Sequence, residues 1–78
     1  MTLKTLDVVA LAEDLPAHGL KLGDLGTIVE VYGPNALEVE FVTASGRTQA
    51  LVTLPLSAVR KVGDNDLVAV RPVTSRDV

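Results

Sequence analysis

Three glutamates, Glu30, Glu38 and Glu40, have the spacing that could support chemistry. They alternate with apolar residues in two neighbouring runs, residues 26–32 and 37–42. Side chains alternate between the faces of a strand, and adjacent strands hold facing residues within a few ångströms, so the pattern predicts three carboxylates on one sheet face. Paired carboxylates perform acid–base catalysis when a cleft desolvates one and raises its pKa, whereas this alternation predicts an open, hydrated face. We therefore interpret them as a contact surface for lysines and arginines of another protein.

The other side chains that could bind a metal or take part in catalysis form no recognisable motif in the sequence. His18 is the single histidine, and the sequence spacing supplies neither the further ligands of a metal site nor a partnered nucleophile. The run Asp64–Asp66 begins like a calcium loop but lacks the glycine and the distant glutamate of that loop, so it predicts a turn. The serines at positions 45, 57 and 75 fit turns or the chain end. The sequence thus predicts no enzyme, no metal site and no cofactor.

The chain is long enough for one small domain that is held together by aliphatic packing. Its 78 residues include no cysteine, one tyrosine and one phenylalanine, while 47% are hydrophobic. A chain near this length buries only roughly 60% of the surface that its unfolded form exposes. Because neither disulfides nor thiolate metal sites can reinforce the domain, the core must consist mainly of valine, leucine and alanine.

Apolar runs separated by turn residues predict a series of short strands. The strands are expected at residues 7–12, 26–32, 37–42, 48–54 and 59–62. In the turn between the second and third strands, Pro34 fixes φ and Asn35 tolerates the left-handed position that follows. Gly46 supplies the positive φ of the next hairpin. Pro55 then opens a single 3-10 turn that leads into the fifth strand.

The glycines before the second strand are interpreted as architectural. Gly23 and Asp24 make the turn by which a long loop, residues 13–24, enters the strand, and Gly26 lies where a side chain would collide with a neighbouring strand. A phosphate-binding loop would need its glycines between a strand and a helix N-terminus, and here an alternating strand follows. Three leucines of the loop can fold back over the core: Leu15, Leu20 and Leu22.

The C-terminal stretch contains a further apolar run. Residues 66–71 are long enough for a sixth strand, and Pro72 with the polar end predicts that the chain then frays. A strand added after a closed barrel must pair with an open edge, either of its own domain or of another chain. The sequence is compatible with either pairing. Pairing with another chain would make this run a dimer or partner contact through Asp66, Leu67, Val68, Val70 and Arg71.

Charge is distributed unevenly along the chain. The formal net charge of −3 combines −5 over residues 1–45 with +2 over the remainder. An acidic half favours a basic protein over a phosphate backbone as partner. No apolar run approaches the roughly 18 residues of a membrane span, and the N-terminal segment lacks a secretory apolar region, so we expect a cytoplasmic protein without membrane contact.

Four segments, taken in order, resemble a family of small bacterial proteins known as domain of unknown function 4926. The segments are LDVVAL, EDLPAHGLKLGDLGTIVEVY, LEVEFV and ALVTLPLSAVRKV. The resemblance covers about residues 3–62, and its most specific part is residues 14–32. More distantly, DVVAL with GLKLGDLGTIVEV looks like the SH3-like barrel of the nitrile hydratase β subunit, and GDLGTIVEV looks like the KOW element of ribosomal and transcription factors. These resemblances imply a fold and almost no biochemistry, because one fold hosts unrelated functions.

Together these features predict an all-β protein, a small SH3-like barrel of five short strands. A 3-10 turn precedes the fifth strand, and an additional C-terminal strand is optional. The barrel is expected over residues 1–62 and a C-terminal extension over residues 63–78. The predicted core consists of Val9, Leu11, Leu20, Val29, Val31, Val39, Phe41, Leu51, Leu56 and Val59.

The predicted function is that of a non-catalytic protein-binding module. An acidic first half and small size suit an antitoxin-like or immunity-like protein that masks a basic partner. One alternative is a homodimeric or accessory structural subunit joined through residues 66–71. The other is a KOW-like RNA-binding module, which would need stacking aromatics that this chain offers only in Tyr32 and Phe41. Its basic edge would consist of Arg47, Arg60, Lys61 and Arg71.

Overall fold

Five strands and two short 3-10 turns make up the regular structure of residues 2–73, the range that the computed structural model describes. The strands are β1 (Val8–Leu11), β2 (Leu25–Tyr32), β3 (Ala36–Val42), β4 (Thr48–Pro55) and β5 (Val59–Lys61). They form one antiparallel sheet in the order β4-β3-β2-β1-β5. One 3-10 turn, Leu56–Ala58, immediately precedes β5, and the other, Pro16–His18, lies in the loop after β1. The predicted all-β fold with five strands and a 3-10 turn before the fifth is confirmed.

The sheet curls around a single hydrophobic core. Buried side chains of both edge strands, such as Leu54 of β4 and Val59 of β5, belong to the same cluster as Val39 of the central strand β3. Because alternate residues of each strand point to the same side, one face of the sheet supplies the core and the other meets solvent. The acidic residues of β2 and β3 therefore lie on the outward-facing surface of the sheet.

The observed core agrees with the prediction at six positions and differs at four. Residues correctly placed in it are Val9, Leu11, Leu20, Val39, Phe41 and Val59, while Ala10, Ile28, Leu37, Ala50, Leu54 and Ala58 are buried as well. The prediction was wrong for Val29, Val31, Leu51 and Leu56. Of these, Val31, Leu51 and Leu56 are exposed by more than a third and Val29 is half-buried.

Two strand irregularities explain the differences at Val29 and Leu51. In β2 the register changes between Ile28 and Glu30, so that Val29 has no residue directly opposite and Ile28 faces the core. A second irregularity between Phe41 and Val42 sets the register of β4, in which alternate residues starting at Ala50 face inward. A bulge adds one residue to one strand, and each added residue reverses which side chains face the core.

The loop between β1 and β2 closes over the core partly as predicted. Leu15 and Leu20 form an isolated antiparallel bridge, and Leu20 is buried, whereas Leu22 is 65% exposed. Gly26 faces the core, where an added Cβ atom would lie 2.6 Å from Val39 Cγ1, so the predicted collision with a neighbouring strand is confirmed. In the β2–β3 turn the left-handed residue is Gly33, with φ of 60°, rather than Asn35.

The optional C-terminal strand does not form. Residues 66–71 have no strand pairing within the described part of the chain, although the segment is fixed at both ends by ion pairs. Leu67 and Val70 are each 96% exposed, so these residues of the apolar run do not pack on their own domain. The predicted fraying of the chain end falls mostly on residues 74–78, outside the described residues.

Candidate functional site

The structure brings the three predicted glutamates together on the outer face of the sheet. Glu30 of β2 is directly opposite Glu38 of β3, and Glu40 is two residues further along the same strand. Alternation explains this placement, because Leu37, Val39 and Phe41 occupy the core side of β3. We call Glu30, Glu38 and Glu40 the acidic face.

Two hydroxyl groups hold the side chains of Glu38 and Glu40 in place. The Tyr32 hydroxyl donates a hydrogen bond to Glu38 Oε1, and the Thr48 hydroxyl donates one to Glu40 Oε2 over 2.6 Å. The hydrogen bond to Glu38 raises the pKa of Tyr32, because ionisation would place two negative charges side by side. The two hydrogen bonds thus restrict the positions of the Glu38 and Glu40 carboxylate oxygens, which are the atoms that a partner would contact.

Most cations within residues 2–73 are paired with carboxylates elsewhere, and none of the ion pairs there compensates the acidic face. The ion pairs within residues 2–73 join Asp7 with Lys4 and Lys61, and two further pairs involve the C-terminal segment. None of these pairs includes Glu30, Glu38 or Glu40. An uncompensated group of like charges produces a local negative potential that attracts cationic partners.

The predicted contact residues of the C-terminal segment lie in a separate region. Asp66 accepts hydrogen bonds from both terminal nitrogens of Arg60, at 3.0 and 2.9 Å, and from the backbone of Gly63. Hydrogen bonding to Arg60 lowers the pKa of Asp66 from its usual 3.8 to about 2. Leu67, Val68 and Val70 carry no described hydrogen bond to the acidic face and project largely into solvent.

Arg71, the last predicted contact residue, ties the segment back to the loop before β2. Its guanidinium donates two hydrogen bonds to Asp24 and one to the backbone oxygen of Gly19. Burial raises the pKa of Asp24, but hydrogen bonds from Arg71 and from the backbone of Lys21 outweigh it, so the pKa is lowered. Arg71 therefore acts within its own domain and is less available to a partner than the sequence suggested.

Surface depressions border these regions without enclosing the glutamates. A depression of about 200 Å³ lies beside Glu40 and is lined mainly by Val8, Leu25, Thr27 and Val42. A larger cleft of about 470 Å³ separates the C-terminal segment from the end of the sheet, and another of about 710 Å³ lies at the opposite end near Leu37 and Val59. The acidic face itself is consequently an open surface, which fits contact with a macromolecule better than enclosure of a small substrate.

Three neighbours of the acidic face were not predicted from the sequence as part of that surface. Tyr32, Leu51 and Thr53 share its side of the sheet, since they are in register with outer-face residues of β3. Alternation along β2 could have placed Tyr32 on this side of the sheet. Leu51 and Thr53 could not be placed in this way, because the register of β4 depends on a bulge that no sequence pattern indicates. Leu51 is 54% exposed and adds an apolar component to the surface.

The described residues contain no group of three or more histidine, cysteine, aspartate or glutamate side chains that could hold a metal ion. His18, the single histidine, contributes its backbone to the loop: its N–H donates to Leu15 and its carbonyl accepts from Gln49. No helix within residues 2–73 is long and apolar enough to cross a membrane.

Comparison with known protein families identifies the chain. The family model named Domain of unknown function (DUF4926) matches residues 5–61. This range contains all five strands and the acidic face, and the chain belongs to this family. Neither the curated proteins nor the solved structures include one that matches the chain.

Proposed function

We propose that this protein is a non-catalytic module that binds a basic protein through the acidic face. The observation that supports this most is the placement of Glu30, Glu38 and Glu40 on one side of two paired strands, without an ion pair inside the described chain. Complementary charge on a partner would accelerate association and restrict which partners bind. Masking of a basic protein in the cytoplasm, as an antitoxin-like or immunity-like protein does, is the specific role that we propose.

The arrangement of charges also favours a protein partner over RNA. Of the four cations that could form a basic edge, Arg60, Lys61 and Arg71 are each paired with a carboxylate, which leaves Arg47 without a described ion pair. Phe41 is buried in the core, so Tyr32 is the aromatic ring that remains for stacking on a base. Binding of RNA would require repulsion from the acidic face to be overcome.

The test compares two double variants with equal net charge. One carries Glu38→Gln and Glu40→Gln in the acidic face, and the control carries Glu13→Gln and Asp64→Asn at exposed positions away from it. Each tagged protein is used to capture partners from a lysate of its own host, and the captured proteins are identified by mass spectrometry. We expect the wild type and the control to retain a near-stoichiometric basic protein that the acidic-face variant loses. Capture of RNA, of the protein alone, or equally by all three forms would overturn the proposal.

A homodimeric or accessory subunit is the second candidate function. It is supported by the C-terminal segment, in which Leu67 and Val70 are almost fully exposed and residues 66–71 have no strand partner within the described chain. Exposed apolar side chains on an extended segment are characteristic of strands that pair with another chain. Truncation after Val62 should then convert a dimer into a monomer in sedimentation, whereas a monomer for both the full-length and the truncated form would exclude this candidate.

A further inference from the structure

Strand β4 is an open edge of the sheet and lacks the usual protection of such edges. It stands at the end of the strand order and pairs with β3 alone within the described chain. Its eight residues, Thr48–Pro55, include no charged side chain. Natural edge strands are commonly protected by lysines, prolines, bulges or short length, and here the bulge and Pro55 affect only the two ends. The central residues 50–54 therefore offer unpaired backbone groups to another strand.

The hydrophobic core is partly open beside the middle of this edge. Ala50, Val52 and Leu54 all face inward, yet Ala50 and Leu54 are buried while Val52 is only half-buried. Its cross-strand neighbour Val39 is completely buried, so the exposed side of Val52 is the side that faces the free edge. An apolar residue on an added strand would cover it and extend the core by one row.

The outer face next to the same edge is acidic. Thr53 is in register with Glu38 and Leu51 with Glu40, so the glutamates lie one strand inward from β4. Neighbouring strands are about 4.8 Å apart, which puts an added strand about 10 Å from the glutamate backbone. A lysine or arginine is long enough to cross the small side chain of Thr53 and reach a carboxylate, whereas a shorter or acidic residue is not suited to this position.

We propose that β4 accepts an extended strand in which lysine or arginine alternates with apolar residues. The cations would lie on the outer face against Glu38 and Glu40, and the apolar residues would lie on the inner face against Val52. This inference rests on the proposed function, in which the acidic face binds a basic protein, and adds the chemistry and the backbone geometry of the contact. Main-chain hydrogen bonds would provide the pairing and the alternating side chains would provide the specificity.

Synthetic peptides test the geometry separately from the charge. The probe is acetyl-KVKVKVK-amide, compared with acetyl-EVEVEVE-amide and with a version of the lysine peptide that is N-methylated at every residue. The last keeps the side chains and the charge but has no backbone N–H to donate. Binding to the ¹⁵N-labelled protein is followed through amide chemical shifts and hydrogen exchange. At a peptide concentration ten times its Kd, amides that pair with it should exchange about tenfold more slowly.

We expect the lysine peptide to shift and protect amides within Thr48–Pro55, with binding weakened by added salt, and the other two peptides to leave them unchanged. Equal binding of the N-methylated peptide would overturn the strand pairing while leaving the charge-based function intact. Full binding to a Glu38→Gln/Glu40→Gln variant with an unchanged fold would overturn the role of the glutamates. Protection of β4 without any peptide, together with a dimer in sedimentation, would also overturn the proposal by assigning the edge to a second copy.

Discussion

Replacement of Gly26 by alanine should destabilise the domain, although alanine usually stabilises a strand relative to glycine. Gly26 pairs with Val9 and faces the core, and an ideal Cβ atom at this position lies 2.6 Å from Val39 Cγ1 and 2.8 Å from Phe41 Cε2. Both neighbours are buried side chains of β3 and can move only by disturbing the packed core. Forcing an extra carbon into such a core costs about 1–3 kcal/mol.

The expected net effect follows from two opposing contributions. Alanine restricts the unfolded chain more than glycine does, and this stabilises the folded state by roughly 0.5–1 kcal/mol. After the cost of the steric overlap is included, the Gly26→Ala variant should have a free energy of unfolding about 1–2 kcal/mol lower than the wild type. For a domain of this size, that corresponds to a decrease in Tm of about 5–15 °C. Urea denaturation followed by circular dichroism measures the free energy, and differential scanning calorimetry measures Tm.

A double-mutant cycle with Val39→Ala identifies the cause. Shortening Val39 removes the atom nearest to the new Cβ, so the two substitutions together should cost less than the sum of their separate effects. Unchanged or increased stability of Gly26→Ala would refute the steric explanation. Strict additivity in the cycle would show that the cost arises elsewhere than in the contact with Val39.

Three further predictions concern single residues. The pKa of Asp66 is lowered to about 2, so its ion pair with Arg60 should persist as the pH falls below 3.8 and be lost as the pH passes through about 2. A carboxyl ¹³C titration of Asp66 should give that midpoint. The Arg60→Gln variant should raise the midpoint. Leu6 is 76% exposed and has a left-handed backbone with φ of 76°. Because glycine adopts this conformation without strain, Leu6→Gly should stabilise the protein by about 0.5–1 kcal/mol, as measured by urea denaturation. A loss of stability would contradict this explanation. Glu30 directly faces Glu38, so Glu30→Gln should increase the free energy of unfolding in urea by about 0.2–1 kcal/mol at low salt and by less at high salt. A gain in stability that does not depend on salt would point to another cause.

The acidic face could be predicted from the sequence because its residues obey a short-range rule. Glu38 and Glu40 alternate with apolar residues in an unbroken stretch of β3, and Glu30 occupies the facing strand. Alternation assigns each residue to a face as long as no residue is inserted. The same rule failed at Val29, where a bulge changes the register of β2, and at Leu51, where the register of β4 follows the second irregularity.

The C-terminal segment could not be predicted from its composition. The run of apolar residues from Leu67 to Val70 has strand propensity, yet a strand forms only where a neighbouring edge offers a ladder. In the folded chain, the ion pairs of Arg60 with Asp66 and of Asp24 with Arg71 fix the segment along a course without such a ladder. Asp24 and Arg71 are 47 residues apart in the sequence, and no local signal marks their contact.

Residue type and alternation were sufficient to predict the five strands up to residue 62, the turn glycine at position 46, the close approach at Gly26 and the three carboxylates on one face. These features depend on residue type and on a period of two, which are local properties of the chain. The open edge at β4, the half-buried Val52 and the pairing of Arg60, Lys61 and Arg71 with carboxylates follow only from the folded arrangement. Those features depend on which segments meet in space, and pairing between distant segments is set by the packing of the whole domain rather than by any one stretch of sequence.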